Sequence, residues 1–159
     1  MNYWLLKSEP ASFSIDDLIK RPGRREHWDG VRNYQARNHL RAMRQGDLAF
    51  FYHSSCAEPG IVGTVRIVRE AYPDPSALDP DSPYHDPRAS TDDPRWFMVD
   101  VEYQRRIDPV IGLPELRSHP ELAEMIVLRR GNRLSVTPVS ADEWRFILDL
   151  ANQRERRAT

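Results

Sequence analysis

The residues best suited to chemistry lie between His27 and Arg44, HWDGVRNYQARNHLRAMR, where aromatic rings, side-chain amides and guanidinium groups are interleaved. A surface that binds nucleobases needs all three: flat rings for stacking, amides to read a polar edge, and cations to hold a phosphodiester backbone. The charge is local. Lys20 to Arg44 carries eight basic and two acidic residues, Glu70 to Glu102 carries nine acidic and two basic, and the whole chain of 159 residues has a formal net charge of −1. No global field draws it to nucleic acid, yet one face can be basic. Trp28 sits in a polar stretch with no apolar periodicity around it, so its ring is expected in a cleft, with burial in the core as the competing assignment. Asn33 carries both donor and acceptor groups, and either reads the edge of a base or caps the helix that follows it.

Signatures of catalysis and of metal binding are weaker. His119-Pro120-Glu121 matches the first half of a zinc deaminase motif, but the second half needs paired cysteines and Cys56 is the single cysteine. His53 and Cys56 likewise make at most half of a closed zinc site. His53-Ser54-Ser55-Cys56 sets hydroxyl and thiol groups beside an imidazole without an orienting acid or a defined turn. Gly60 to Gly63 reads as close-packed backbone at the start of a strand rather than as a phosphate cradle. No catalytic residue, cofactor or metal is expected.

The elements that must carry these residues follow from the pattern. Tyr3 to Lys7 is an apolar run stopped by Ser8-Glu9-Pro10, which predicts a strand. Ser14 and Asp17 have the spacing of a helix N-cap and its third position, ahead of Leu18 and Ile19. Ala36, Leu40 and Met43 recur at helical spacing from Tyr34 to Arg44, with Arg37, Arg41 and Arg44 on an adjoining stripe. In LAFFYH, Phe50 and Tyr52 point one way while Phe51 and His53 point the other, so one pair suits a core and the other a pocket. IVGTVRIV through Val68 and RWFMVDVEY predict further strands, separated by a proline-rich excursion from Tyr72 to Pro94 that has the length of a functional loop. Leu134 to Val139 is another strand. Ser118 to Glu121 and Ser140 to Glu143 both have capping-box spacing, the second opening a helix with Trp144, Ile147 and Leu148 on one face. Strands and short helices without regular βαβ alternation imply an α+β domain around a curled sheet, residues 1–150, with a polar tail over 151–159. One free cysteine fits a reducing compartment, and MNYWLLKSEP is too poor in apolar residues for a signal peptide or membrane span. A cytoplasmic monomer is expected.

Five ordered blocks, YWLLKSEP, WDGVRNYQARNHLRAMRQGDLAFFYHS, GIVGTVRIVREAYPD, DPRWFMVDV and RLSVTPVSADEW, closely resemble the EVE domain family over residues 2 to 150. The resemblance implies a PUA-like fold, a small curved β-barrel of about five or six strands with helices around it, related to the YTH domains that read methylated adenine in RNA. It also implies a non-catalytic reader of a modified nucleobase, 5-methylcytosine or an oxidised derivative in DNA, with modified RNA as a second partner. Carried over by position, the pocket comprises Lys7, Ser8 and Glu9, then Trp28 and Asn33, then Phe51, His53 and Ser54, then Pro94, Arg95 and Trp96. In this reading Trp28 and Trp96 sandwich a flipped base, Ser8, Glu9, Asn33 and Ser54 read its edge, and Arg32, Arg37 and Arg41 hold phosphates. Where the family commonly has asparagine, this chain has Ser55. Two other functions fit such a cleft: a small enzyme or sensor for a nucleotide-like metabolite, with His53 or Glu9 carrying a proton, and a module that binds a partner peptide.

Overall fold

The structure, a computed structural model, describes residues 1–158. Its strands are β1 (Tyr3–Ser8), β2 (Arg25–His27), β3 (Leu48–His53), β4 (Gly60–Pro73), β5 (Phe97–Gly112) and β6 (Val136–Val139). They form one six-stranded sheet in the order β2-β5-β4-β3-β1-β6. β1 runs parallel to β3 and the other pairings are antiparallel. A parallel neighbour cannot be reached by a tight turn, and the crossover carries α1 (Ile15–Lys20), β2 and α2 (Tyr34–Ala42). Two further helices, α3 (Leu113–Arg117) and α4 (Ala141–Ala158), follow β5 and β6. This is the α+β, PUA-like architecture that the sequence implies.

Alternation along the strands creates two apolar faces, and the helices divide between them. Leu6, Phe51, Val65, Ile67, Val99 and Val101 face Leu18 of α1 and Ala36 and Leu40 of α2, in a cluster that also takes in Trp28 and Val31. Leu5, Phe50, Tyr52, Ile107 and Ile111 face Leu116 of α3 and Trp144, Ile147 and Ala151 of α4. Phe50 stacks on Trp144 with ring centroids 4.1 Å apart. Both sides of LAFFYH are therefore core, because both faces of the sheet are covered.

The caps behave as their spacing predicts in two places and differently in a third. Ser14 and Asp17 exchange the reciprocal bonds of a capping box. Ser140 and Glu143 do the same ahead of α4. Ser118 instead closes α3, its hydroxyl donating to the Glu115 carbonyl at 2.6 Å. The residues after Leu150, expected as a polar tail, continue α4 to Ala158; Ala151 lies one turn beyond Ile147 and extends its apolar stripe, and Arg154 pairs with Glu115. Thr159 is outside the described residues.

β4 and β5 run well past the predicted strand ends, and their pairing shifts register several times along its length. Each shift is an irregularity that bends the ladder, which is how two long strands curl instead of lying flat. Gly63 permits the tightest of these approaches, since a side chain there would collide with the Arg105 carbonyl and with Ile15 of α1. Among the described residues no helix is long and apolar enough to cross a membrane.

Candidate functional site

The edge strands of the sheet, β2 and β6, are not paired with each other, and a cleft of about 790 Å³ lies where the two sheet margins approach. Glu26 and His27 come from β2, Lys7 and Ser8 from the end of β1, and Arg133 and Ser135 from the turn that leads into β6. Residues from opposite margins line one cavity, so the sheet has curled almost onto itself. The loop from Trp28 to Asn33 forms the third wall, with Phe13 and Tyr84 adding aromatic surface.

Three anchors shape that loop. The Trp28 amide donates to the Val99 carbonyl at 2.7 Å, extending β2 by one rung. Its indole is 6% exposed, meeting Phe51 edge-on at 5.3 Å and Phe13 edge-on at 6.4 Å, so it belongs to the core and offers the cleft only a small part of its ring. The expected exposed stacking platform is thus corrected: Phe13, just ahead of α1, and Phe51 of β3 pack on Trp28 in space although its sequence neighbours are polar. Gly30 has a φ of +77°, and a Cβ there would stand 2.8 Å from the Tyr84 ring, so glycine lets this ring close over the loop.

The deepest anchor is Asp74, whose side chain has no solvent exposure. It accepts from the Gly30 amide at 2.9 Å, from the Ser76 hydroxyl at 2.6 Å and from the Arg32 guanidinium at 3.1 Å. Burial alone would raise its pKa, but the donors Ser76, Gly30 and Arg32 outweigh burial and hold the carboxyl below its ordinary value. Asp29, one residue before Gly30, shifts the other way. Desolvation and then the nearby Asp74 charge push its carboxyl up, and it faces the cleft.

Of the residues expected at the site, Lys7, Ser8, Glu9, Trp28, Arg32 and Asn33 line the cleft; Phe51, His53, Ser54, Pro94, Arg95, Trp96, Arg37 and Arg41 are not among its lining residues. Each absence has a local cause. Phe51 is fully buried, since both sheet faces are covered. His53 accepts the Ile15 amide proton on Nε2 at 3.1 Å, so it serves as a cap for α1, and burial lowers its pKa. That engagement leaves the imidazole poorly placed to carry a proton for a bound metabolite. The Ser54 amide bonds the Ser8 carbonyl at 3.0 Å, tying β3 to β1. Trp96 stacks on Tyr34 at 4.7 Å and its Nε1–H donates to Asp86 at 2.7 Å. Between Pro94 and Trp96 the chain makes a tight turn, the Trp96 amide bonding the Pro94 carbonyl at 2.6 Å with Arg95 at a φ of +60°.

Asn33 resolves toward its capping role: its Oδ1 accepts the Ala36 amide at 3.0 Å, and the residue also lines the cleft. The three arginines expected on phosphates are engaged within the protein. Arg32 donates to Asp74, to Ser76 at 3.0 Å and to the Tyr84 carbonyl at 2.8 Å. Arg37 donates to the Arg95 carbonyl at 2.9 Å and lies over the Tyr34 ring. Arg41 lies over Phe97, 4.6 Å from its centroid.

Residues that sequence reasoning missed include Phe13, Asp29, Tyr84, Arg133 and Ser135. Tyr84 carried the one available signal, an aromatic residue in the middle of a proline-rich excursion. Among the described residues no three His, Cys, Asp or Glu side chains gather as a metal site.

Comparison with known proteins converges on one family. The EVE domain profile matches residues 2–150. Mouse thymocyte nuclear protein 1 is 48% identical over 94% of this chain and 73% of its own. A Pseudomonas syringae protein of known crystal structure is 53% identical, with a TM-score of 0.90 over 94% of this chain and 99% of that one. The human THYN1 protein, crystallised in complex with DNA containing 5-methylcytosine, is 44% identical, with a TM-score of 0.91 over 95% of this chain and 98% of that one.

Proposed function

The chain belongs to the EVE domain family, and on that premise we propose that it binds DNA carrying a modified base, 5-methylcytosine or an oxidised derivative, without catalysing a reaction. The observation that carries the reading is the cleft itself: an open cavity at the sheet seam, with aromatic surface and a carboxyl above its ordinary pKa, in a fold shared with a human protein crystallised on 5-methylcytosine DNA.

The chemistry of the walls suits a cytosine. Its edge presents an exocyclic amine donor beside a ring-nitrogen acceptor. A carboxylate accepts from the first, and Asp29, on the cleft wall, supplies that acceptor. The Asn33 amide and the Ser8 hydroxyl add polar groups nearby. Tyr84, 40% exposed, and Phe13 offer the ring surface that Trp28 withholds. Stacking of one base on such a ring contributes about 1–3 kcal/mol, and a buried methyl group adds at most about 1 kcal/mol, so discrimination by methylation alone is modest.

The test is a panel of oligonucleotides differing only in the modification of one cytosine, in DNA and RNA, single and double stranded. Preferred binding of modified DNA is expected, reduced roughly 5- to 100-fold by Tyr84→Ala and shifted in base preference by Asp29→Asn. Both side chains line the cleft, and thermal melting checks that the variants fold. Equal binding of modified and unmodified strands by the parent protein would sink the proposal.

A further inference from the structure

The positions expected to hold phosphates are tied down, which raises the question of where the free cations are. A cluster of them lies in the turn that follows Leu128. From Met125 to Val139 the chain has three basic residues and no acidic one: Arg129, Arg130 and Arg133. All three are exposed, and among the described residues their guanidinium groups have no hydrogen bond, ion pair or ring contact.

The backbone beneath them is firmly held. The Asn132 amide bonds the Arg129 carbonyl at 3.1 Å, with Gly131 at a φ of +77° in the third position, a type II turn that puts Arg130 at its tip. The Asn132 side chain donates to the Ile126 carbonyl at 3.1 Å and accepts the Leu134 amide at 3.2 Å. Leu134 packs on the core, and the Ser135 carbonyl accepts the Lys7 amide at 2.8 Å. Arg133 and Ser135 line the cleft, so the turn is continuous with its wall.

Three like charges within five residues repel one another inside a Debye length of about 10 Å, and a rigid turn cannot splay to relieve them. An external polyanion removes that cost. We propose that the Arg129–Arg133 turn is a phosphate grip, holding the DNA backbone that flanks the base in the cleft. The inference rests on the proposed reading of that cleft and adds the surface that makes binding salt-dependent. Arg130 and Arg129 contact phosphates beyond the base, and Arg133 contacts the phosphate nearest the cleft.

The test compares the parent with a triple variant, Arg129→Gln, Arg130→Gln and Arg133→Gln, binding a labelled duplex with one 5-methylcytosine over a series of salt concentrations. Each lost phosphate contact lowers the slope of log affinity against log salt by about 0.9, so a drop of about two to three is expected, with the ratio of modified to unmodified binding unchanged. Arg145→Gln, which removes one exposed charge of α4, is the control for net charge, and thermal melting checks that the triple variant folds. A triple variant with the parent's slope and affinity overturns the grip while leaving the base reading intact. A reduced slope in a protein that never distinguishes modified from unmodified DNA supports the grip and overturns the base reading. No binding of any oligonucleotide by the parent overturns both.

Discussion

Two arginine-bearing regions of this protein look alike in charge and differ in what the charge does. In the first, Arg32, Arg37 and Arg41 are bound to Asp74, the Arg95 carbonyl and the Phe97 ring, so their cations hold the loop and α2 against the rest of the molecule. In the second, Arg129, Arg130 and Arg133 stand on an anchored turn with no internal partner among the described residues. A guanidinium already committed to a buried carboxylate is structural; an unpaired one on a fixed backbone is available to a ligand. The count of basic residues in a segment says little until their partners are known.

The sharpest way to break this contrast is Arg32→Ala. It leaves the fully buried Asp74 without its cation, and a loss of about 3–5 kcal/mol is expected, a fall of roughly 10 °C in melting temperature by calorimetry. A loss under 1 kcal/mol would place Arg32 with the free arginines.

His53 extends the comparison to a titratable group. In the unfolded chain its imidazole titrates near its ordinary value of about 6.5, while in the fold burial lowers its pKa and Nε2 must stay unprotonated to accept the Ile15 amide. Below that ordinary value the unfolded state binds more protons, so stability is complete above it, declines as the pH falls, and levels off once the folded imidazole is charged. His39, lying against Trp4 with its pKa also lowered by burial, contributes with the same sign. Urea titrations at a series of pH values should therefore show a step that shrinks in His53→Gln and disappears when His39 is replaced as well.

Gly131→Ala probes the turn itself. No neighbouring atom stands within 4 Å of the added Cβ, so the cost is that of the left-handed backbone, about 1–2 kcal/mol, and a weaker grip on DNA should accompany it. The smallest effect on folding belongs to Arg133→Ala, within about 0.5 kcal/mol by chemical denaturation, although its effect on DNA binding should exceed that of any other single arginine in the turn.

Local signals in the sequence were reliable where one element decides the outcome. The Ser14–Asp17 and Ser140–Glu143 boxes and the Tyr34 helix start all appear in the structure, whereas both faces of LAFFYH are core and neither turns to the cleft. Strand ends were less legible, because the shifts of register along β4 and β5 break the two-residue period and let charged Arg105 and Arg106 sit in a strand. Of the fourteen residues expected at a site, six, in the Lys7–Glu9 and Trp28–Asn33 segments, line the cleft. The rest depended on partners remote in sequence: Phe13 and Phe51 bury Trp28, Asp74 captures Arg32, and Ile15 engages His53. Tyr84 and Arg133 reach the cleft only because the sheet curls, a property that no short window of sequence contains.

The unpaired seam between β2 and β6 has a mechanical consequence. A molecule seated in the cleft touches both margins of the sheet and bridges segments far apart along the chain, in effect completing the ring that hydrogen bonds leave open. Occupancy should then slow amide hydrogen exchange at His27 and Trp28 on one margin and at Ser135 and Val136 on the other, in step with the added stability that any ligand confers on the state it binds. The keystone of this small arch would be the nucleotide.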